Sequence, residues 1–271
     1  MRLLKRTVKL VLLLVLLVLV WWCSTYTLTT ETVEISDERI KDEIVIVQIS
    51  DLHGQQFGVN NKILIESISS HSPDLIFATG DMYSNGSDEG REVALSLMTE
   101  LVDVAPVYYV NGEHDNSDEF DAQLESAGVI VLDYEDEVVV IGETKLHLYG
   151  INNVYYTDTF DLSNEFILDE SAYNILLAHI QNFDKFSSFG IDLSICGDTH
   201  GGQVRLPFVG ALYMDGVWLP ESNGQYVDGL YEKNGAKLFV SSGLGSNPIP
   251  VRLWNRPEVS VIMLVPKQNN V

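Results

Sequence analysis

Five short apolar runs, each stopped by a polar motif, constrain this chain more than any other feature. Residues 44–47 lead to Asp51-Leu52-His53-Gly54, residues 75–78 to Gly80-Asp81, and residues 107–110 to Asn111-Gly112-Glu113-His114-Asp115. Residues 175–177 lead to Ala178-His179, and residues 193–196 to Gly197-Asp198-Thr199-His200-Gly201-Gly202. Runs this short and β-branched read as buried strands. Side chains at the C-terminal ends of several strands converge on one rim, where α/β folds place their chemistry. Histidine and aspartate together on such a rim point to a metal, and two kinds of carboxylate position point to two.

The segments between the runs fill in the architecture. Residues 60–71 read as a helix with Ile63, Ile65 and Ile68 apolar and Pro73 beyond its end; further helices are expected near 88–103 and 119–127. Ser117 or Asp118 can cap the last of these, and Gly128 ends it. This half alternates β and α and predicts a mostly parallel stack. The second half is richer in strands, at 129–132, 137–141, 145–151, 174–178, 192–196, 237–242 and 259–265, with a long Gly-, Tyr- and Trp-rich excursion over 210–233. The expected fold class is α/β, with two stacked mixed sheets flanked by helices.

The first 28 residues stand apart. Arg2, Lys5, Arg6 and Lys9 precede an unbroken apolar stretch from Leu10 to Trp22, which the neutral residues up to Leu28 extend towards the length a membrane span needs. Trp21, Trp22 and Tyr26 suit a membrane interface. A cleaved signal peptide competes with an uncleaved anchor. Bulky tryptophans, with no small-x-small site after them, favour the anchor. Basic residues ahead of the span keep that end cytoplasmic and put the rest outside. The expected organisation is an anchor over 1–28, a polar linker over 29–42 and a globular domain over 43–271, in a single-pass protein of the cell membrane.

That domain is strongly acidic. All 39 Asp and Glu lie at Glu31 or beyond, against 12 of the 16 Lys and Arg, a net charge of −27. Such a surface repels nucleic acid, which is excluded as a partner. A small anionic substrate needs a local cationic centre, which bound metal supplies. Cys23 at the membrane boundary and Cys196 at the end of a strand are not expected to pair.

The five motifs in order resemble the calcineurin-like metallophosphoesterase superfamily: D-x-H, G-D, G-N-H-D/E, H and G-H-x-H. The tail Gly201-Gly202-Gln203-Val204-Arg205-Leu206-Pro207, the stretch Phe239-Val240-Ser241-Ser242-Gly243-Leu244-Gly245 and Arg256-Pro257-Glu258 are similar to its membrane-associated bacterial branch. That branch includes cell-wall-associated phosphoesterases and relatives of UDP-diacylglucosamine hydrolases. The resemblance covers residues 43–266 and implies two divalent metal ions, Mn²⁺ foremost, with Fe, Zn, Mg or Ca as substitutes. It places Asp51, His53 and His200 on the first ion, Asp81 between the two, and Glu113, His179 and Asp198 on the second. It also implies a hydroxide shared by the ions that attacks phosphorus, while His114, oriented by Asp115, stabilises or protonates the leaving oxygen. The implied activity is hydrolysis of a phosphomonoester, phosphodiester or pyrophosphate, small or lipid-linked, in the cell envelope, by a monomer.

Two positions depart from the pattern: Glu113 stands where the family has Asn, and Asp198 where it has His. Four carboxylates against two divalent ions leave a formally neutral centre. Harder ligands favour Mn²⁺, Mg²⁺ or Ca²⁺, and a neutral centre attracts phosphate less and acidifies water less. A catalytically weakened or inactive protein that binds or senses an envelope ligand is the alternative.

Overall fold

The computed structural model describes residues 2–152 and 155–267. A long helix, α1 (Arg2–Tyr26), runs straight into strand β1 (Thr29–Asp37). Strands β2 (Ile44–Ile49), β3 (Leu75–Thr79), β4 (Val107–Val110) and β5 (Ile130–Val131) follow, separated by helices α2 (Lys62–Ser69), α3 (Asp88–Val102) and α4 (Asp118–Ser126). Strands β6 (Glu135–Ile141), β7 (Thr144–Gly150), β8 (Tyr173–Leu177) and β9 (Leu193–Cys196) begin a second sheet, with α5 (Phe183–Phe189) between the last two. The strand pairs β10 (Arg205–Leu206) with β11 (Gly210–Ala211), and β12 (Tyr213–Met214) with β13 (Val217–Trp218), form two small ribbons. Strands β14 (Gly229–Lys233) and β15 (Ala236–Val240) complete the second sheet, and β16 (Glu258–Pro266) returns to the first. The sheet orders are β1-β16-β2-β3-β4-β5 and β14-β15-β9-β8-β7-β6.

Period-2 alternation explains the layering, because successive residues on a strand face opposite ways. Val47 and Ile49 on β2, Ile76 and Ala78 on β3, and Val107 and Tyr109 on β4 face Leu64, Ile68, Leu97, Leu101 and Phe120 of the three helices. Their neighbours Ile44, Ile46, Phe77, Tyr108 and Val110 face Leu146, Leu148, Ile175, Leu193, Ile195 and Phe239 of the other sheet. The far side of the second sheet packs on Phe183 and Phe186 of α5. The result is the expected helix–sheet–sheet–helix stack, with near-continuous apolar strands because both faces are buried. Ser117 caps α4, its hydroxyl accepting the Phe120 N–H at 3.4 Å.

Two expectations fail. Residues 29–42 are not a linker throughout: Thr29–Asp37 is β1, paired in parallel with β16 over its whole length. Its Thr, Val and Ile residues suit a strand, but only Ile35 is buried, so an edge strand with one half-wet face resembles a polar tether. Likewise, residues 210–233 are not all surface excursion, because β14 forms the opposite edge of the second sheet. Both thiols are free, and Cys196 is buried.

Phe77 lies fully buried between the sheets with its ring 5.9 Å from that of Tyr108, edge to face. Phe77→Ala is expected to cost about 3–5 kcal/mol of stability, read from denaturant unfolding of the solubilised protein.

Candidate metal centre

Parallel pairing brings β2, β3 and β4 to one end of the first sheet, and β8 and β9 to the same end of the second. The loops that follow these strands meet there. Their backbones interlock: Asp51 N–H donates to Gly80 O, His53 N–H to Asp81 O and Gly197 N–H to His179 O, all at 3.0 Å. Glycine is required at Gly80, where a Cβ would lie 2.6 Å from Gly112 N and 2.8 Å from His179 Nδ1, and at Gly197, where it would meet Ser50 Oγ at 1.9 Å. Asp51, His53, Asp81, Asp198 and His200 all take left-handed backbone conformations, with φ between 48° and 74°. Non-glycine residues pay about 1 kcal/mol or more for each such turn, and strain of this kind gathers at functional sites.

These turns aim the side chains at one another. Asp51, His53 and His200 present donor atoms mutually within 4.8 Å, and so do Asp51, Asp81 and His179. Asp81 Oδ2 lies 3.6 Å from His53 Nε2 and 3.5 Å from His179 Nε2. Asp51 Oδ1 lies 3.6 Å from His200 Nε2 and 3.9 Å from His179 Nε2. Asp198 Oδ1 is 3.8 Å from His179 Nε2. Each of the two buried carboxylates therefore stands between imidazoles of both groups, so Asp51 as well as Asp81 would lie beside both ions if two were bound. Atoms each about 2.1 Å from one ion sit roughly 3–3.5 Å apart, close to these spacings.

The donor chemistry fits divalent cations. His179 Nδ1 donates to Thr79 O at 2.7 Å, leaving a buried Nε2 with no hydrogen-bond partner facing the carboxylates. A ring fixed through one nitrogen and open at the other is the usual state of a metal-ligating histidine. His53 is held the same way, its Nδ1 3.1 Å from Ser84 Oγ. His53 Nε2 and His200 Nε2 face each other at 3.2 Å across stacked rings, a pair of lone pairs that a cation can share.

Electrostatics agree. Burial lowers His53 to about 4, with His200 adding to it, and burial lowers His200 to about 3, with buried Arg252 adding. Both imidazoles are thus neutral near pH 7, the form that ligates. Burial alone would raise Asp81, but the facing His179 and His53 hold it below the ordinary carboxylate range. Burial would likewise lower His179, yet Asp81, Asp51 and Asp198 together push it well above its ordinary value. Without a cation, a proton on His179 balances the carboxylates.

Other predicted residues sit differently. Glu113 is exposed at the rim of the cleft above the cluster and belongs to neither compact donor group. His114 is half-buried on the cleft wall, its ring 5.3 Å from that of His53 and its Nε2 3.9 Å from Asp81 Oδ2. Asp115 does not orient His114. It is fully buried, its oxygens accepting Met82 N–H at 2.6 Å and Gly112 N–H at 2.7 Å, and burial next to Asp81 raises it to about 6. It fastens the Asp81 loop to the Gly112 loop. The residue that holds His114 is Asn247, whose amide N–H donates to Nε2 at 2.9 Å. Gln203 in turn donates to Asn247 O at 2.6 Å. Sequence reasoning missed Asn247; its only signal was its place two residues after the Gly243-Leu244-Gly245 stretch. The cleft holds about 350 Å³ and is lined by Asp81, Glu113, His114, Asp198, His200 and Asn247, among others.

Comparison with known proteins identifies this arrangement. Residues 44–203 match the calcineurin-like phosphoesterase family, and the chain belongs to it. It is similar to the metallophosphoesterase YkuE of Bacillus subtilis (strain 168), 24% identical over 249 residues, covering 86% of this chain and 85% of the relative. It is also similar to protein YpbG of the same organism, 28% identical, covering 88% and 87%, and to phosphodiesterase YaeI of Escherichia coli (strain K12), 26% identical, covering 81% and 82%. The family is dinuclear and metal-dependent, and the chain is a metal-dependent phosphoesterase.

Burial raises the Asp198 carboxyl to about 7, with Asp51, Asp215 and Glu113 adding and His179 opposing. A raised carboxyl holds its proton below that value, and a divalent ion must displace it. Mn²⁺ affinity of the chelator-treated protein is therefore expected to climb as pH rises through about 7. Calorimetric titration on either side of that value reads the rise, and Asp198→Asn should remove the Asp198 share of it, leaving the share from His179, which also gives up a proton to the ion.

Proposed function

We propose that this protein hydrolyses a phosphoester of the cell envelope, at a site held outside the cytoplasmic membrane by α1. One observation carries the reading: two donor groups sharing Asp51 lie at the common end of both sheets, and Asp81 and His200 among them line the cleft. Asp51, His53 and His200 would hold one ion, with Asp81, His179 and Asp198 around the other. When bound, the pair supplies Lewis-acid charge and a water acidified towards neutrality, with Mn²⁺ the favoured ion for so oxygen-rich a donor set.

The chain's own residues do the rest. Asp51 and Asp81 fix the spacing of the two pockets, because each carboxylate lies between imidazoles of both. His114 stands on the cleft wall over Asp81, where a phosphoryl oxygen or leaving oxygen would meet it. Asn247 keeps the ring from turning away. A charge placed in advance where charge develops in the transition state is the larger part of phosphoryl-transfer catalysis.

The two unusual acids act unequally. With Glu113 at the rim, three carboxylates rather than four surround the ions, so the centre keeps one net positive charge for phosphate. Asp198 removes one charge relative to the imidazole usual there, and Glu113 places another negative charge at the mouth. Both weaken the pull on an anionic substrate.

Full-length protein with Mn²⁺ and bis(p-nitrophenyl) phosphate tests the reading. Asp81→Asn is expected to abolish turnover, and Glu113→Asn with Asp198→His to raise kcat/KM by about tenfold, the effect of about 1.4 kcal/mol in transition-state stabilisation. Unchanged turnover in the double variant over several metals would show that these charges do not govern the rate.

A further inference from the structure

The loop of residues 246–256 touches both the cleft and the end of α1. At one end Asn247 holds His114. Three residues on, Pro250 O accepts the indole N–H of Trp21 in α1 at 3.1 Å. Arg252 N–H donates to Thr25 Oγ1 at 3.2 Å, and the Arg256 guanidinium donates to Thr27 O at 3.1 Å. From the other flank Gln55 donates to Thr25 O at 3.1 Å. The helix end is thus clasped by the domain beside the cleft. Three residues of extended chain reach roughly 11 Å at most, so the residue holding His114 lies within that distance of the one holding Trp21.

The same loop is exposed and apolar. Trp254 is 56% exposed and Ile249 62%, with Val251 beside them. Burying such side chains in a monomer's own core is the norm, and an exposed group of them marks a surface that meets something apolar. Charge segregates to match. In a chain of net charge −23, residues 246–256 hold no Asp or Glu, and Arg256 is their exposed cation, since Arg252 is fully buried. Acids crowd the rest of the domain and would be repelled by anionic lipid; this loop would not.

What covers the loop follows from α1. Residues Lys5–Tyr26 are apolar enough, and long enough, to cross a membrane, and only 6% of that window is buried against the domain. Trp21, Trp22 and Tyr26 occupy its last turns, the place of aromatic belts at the headgroups. A helix leaving the bilayer there brings the loop it grips to the same level. We infer that the 246–256 loop is seated in the headgroup region of the bilayer through Ile249, Val251 and Trp254, so that the cleft mouth opens at the membrane surface and receives a lipid-borne phosphoester. The inference rests on the anchoring reading of α1 and deepens the proposed function by naming the substrate's carrier.

Full-length protein in vesicles of phosphatidylethanolamine and phosphatidylglycerol provides the test. In a Cys23→Ser background, nitroxides are attached singly at Leu16→Cys, Ile249→Cys, Trp254→Cys and Ile167→Cys. Ile167 is the matched control, an apolar residue 89% exposed on the loop before β8, with no tie to α1. Collision with oxygen against a water-soluble nickel chelate reads depth. Labels at 249 and 254 are expected at headgroup depth, with 16 in the hydrocarbon and 167 in water. Should 249 and 254 prove as wet as 167 while 16 is lipid-buried, α1 is an anchor and the seating is wrong. If 16 is wet too, the anchoring reading itself fails and the seating falls with it.

Competition addresses the carrier. Vesicles doped with phosphatidic acid should inhibit bis(p-nitrophenyl) phosphate hydrolysis about tenfold more strongly than glycerol 3-phosphate at equal phosphate, since membrane partitioning concentrates the ligand at the seated mouth. The Ile249→Ser/Val251→Ser/Trp254→Ser variant should lose that advantage and keep its rate on the soluble ester. Equal inhibition by the two phosphates in the unsubstituted protein overturns the lipid-borne substrate.

Discussion

A polar junction between the two sheets, at the end where the cleft opens, is what the rest of this molecule depends on. Gln48 of β2 is fully buried, and its amide donates to Thr79 Oγ1 of β3 and to Cys196 O of β9, both at 2.8 Å. His179, beyond β8, donates to Thr79 O. The Asp51 carboxylate accepts the Asp198 N–H at 3.2 Å. Elsewhere the sheets meet largely through apolar side chains, which set no register, apart from ties such as Asp42 to Thr144 and Arg39 to Asp192. Buried hydrogen bonds do set one, because an unmet partner costs the full desolvation of the group. The candidate metal-binding residues are therefore also among those that dock one half of the fold on the other.

That dual use explains the strain. Five side chains sit on left-handed turns, and three carboxylates crowd a buried space. Neither arrangement stabilises the bare protein. Apolar burial on four layers supplies the surplus that tolerates them, and cations offset the repulsion when bound. Under the proposed reading, Asp198 in place of a neutral imidazole would shift this balance towards hard ions and away from phosphate attraction, and the exposed position of Glu113 would make the shift smaller than the residue count implied.

Much of the fold was legible because its strands alternate two apolar faces and its helices carry ordinary caps and stops. The sequence offered Ser117 or Asp118 as the cap of α4 and Gly128 as its end, and in the structure Ser117 is the cap and Gly128 follows the last turn at φ 95°. The edges were not legible. Strand β1 is held by β16, more than two hundred residues away, and only one of its side chains is buried, so its pattern carries little core signal. At the site, the family resemblance named Asp51, His53, Asp81, His179, Asp198 and His200, which do converge. It could not distinguish Asp115 as a backbone fastener from Asp115 as a partner of His114, since both uses need a buried acid after a histidine.

The sequence by itself determined the elements, the end of the strands that carries the chemistry and the kinds of donor available there, since local periodicity and residue type are enough for that. Only the tertiary structure decided that Asp51 is shared between the two donor groups, that Glu113 stays at the rim, and that Asn247 reaches His114 from a loop also clasping α1. Such relations join residues far apart along the chain, and they depend on distances of a few ångströms that exist only after the sheets have docked.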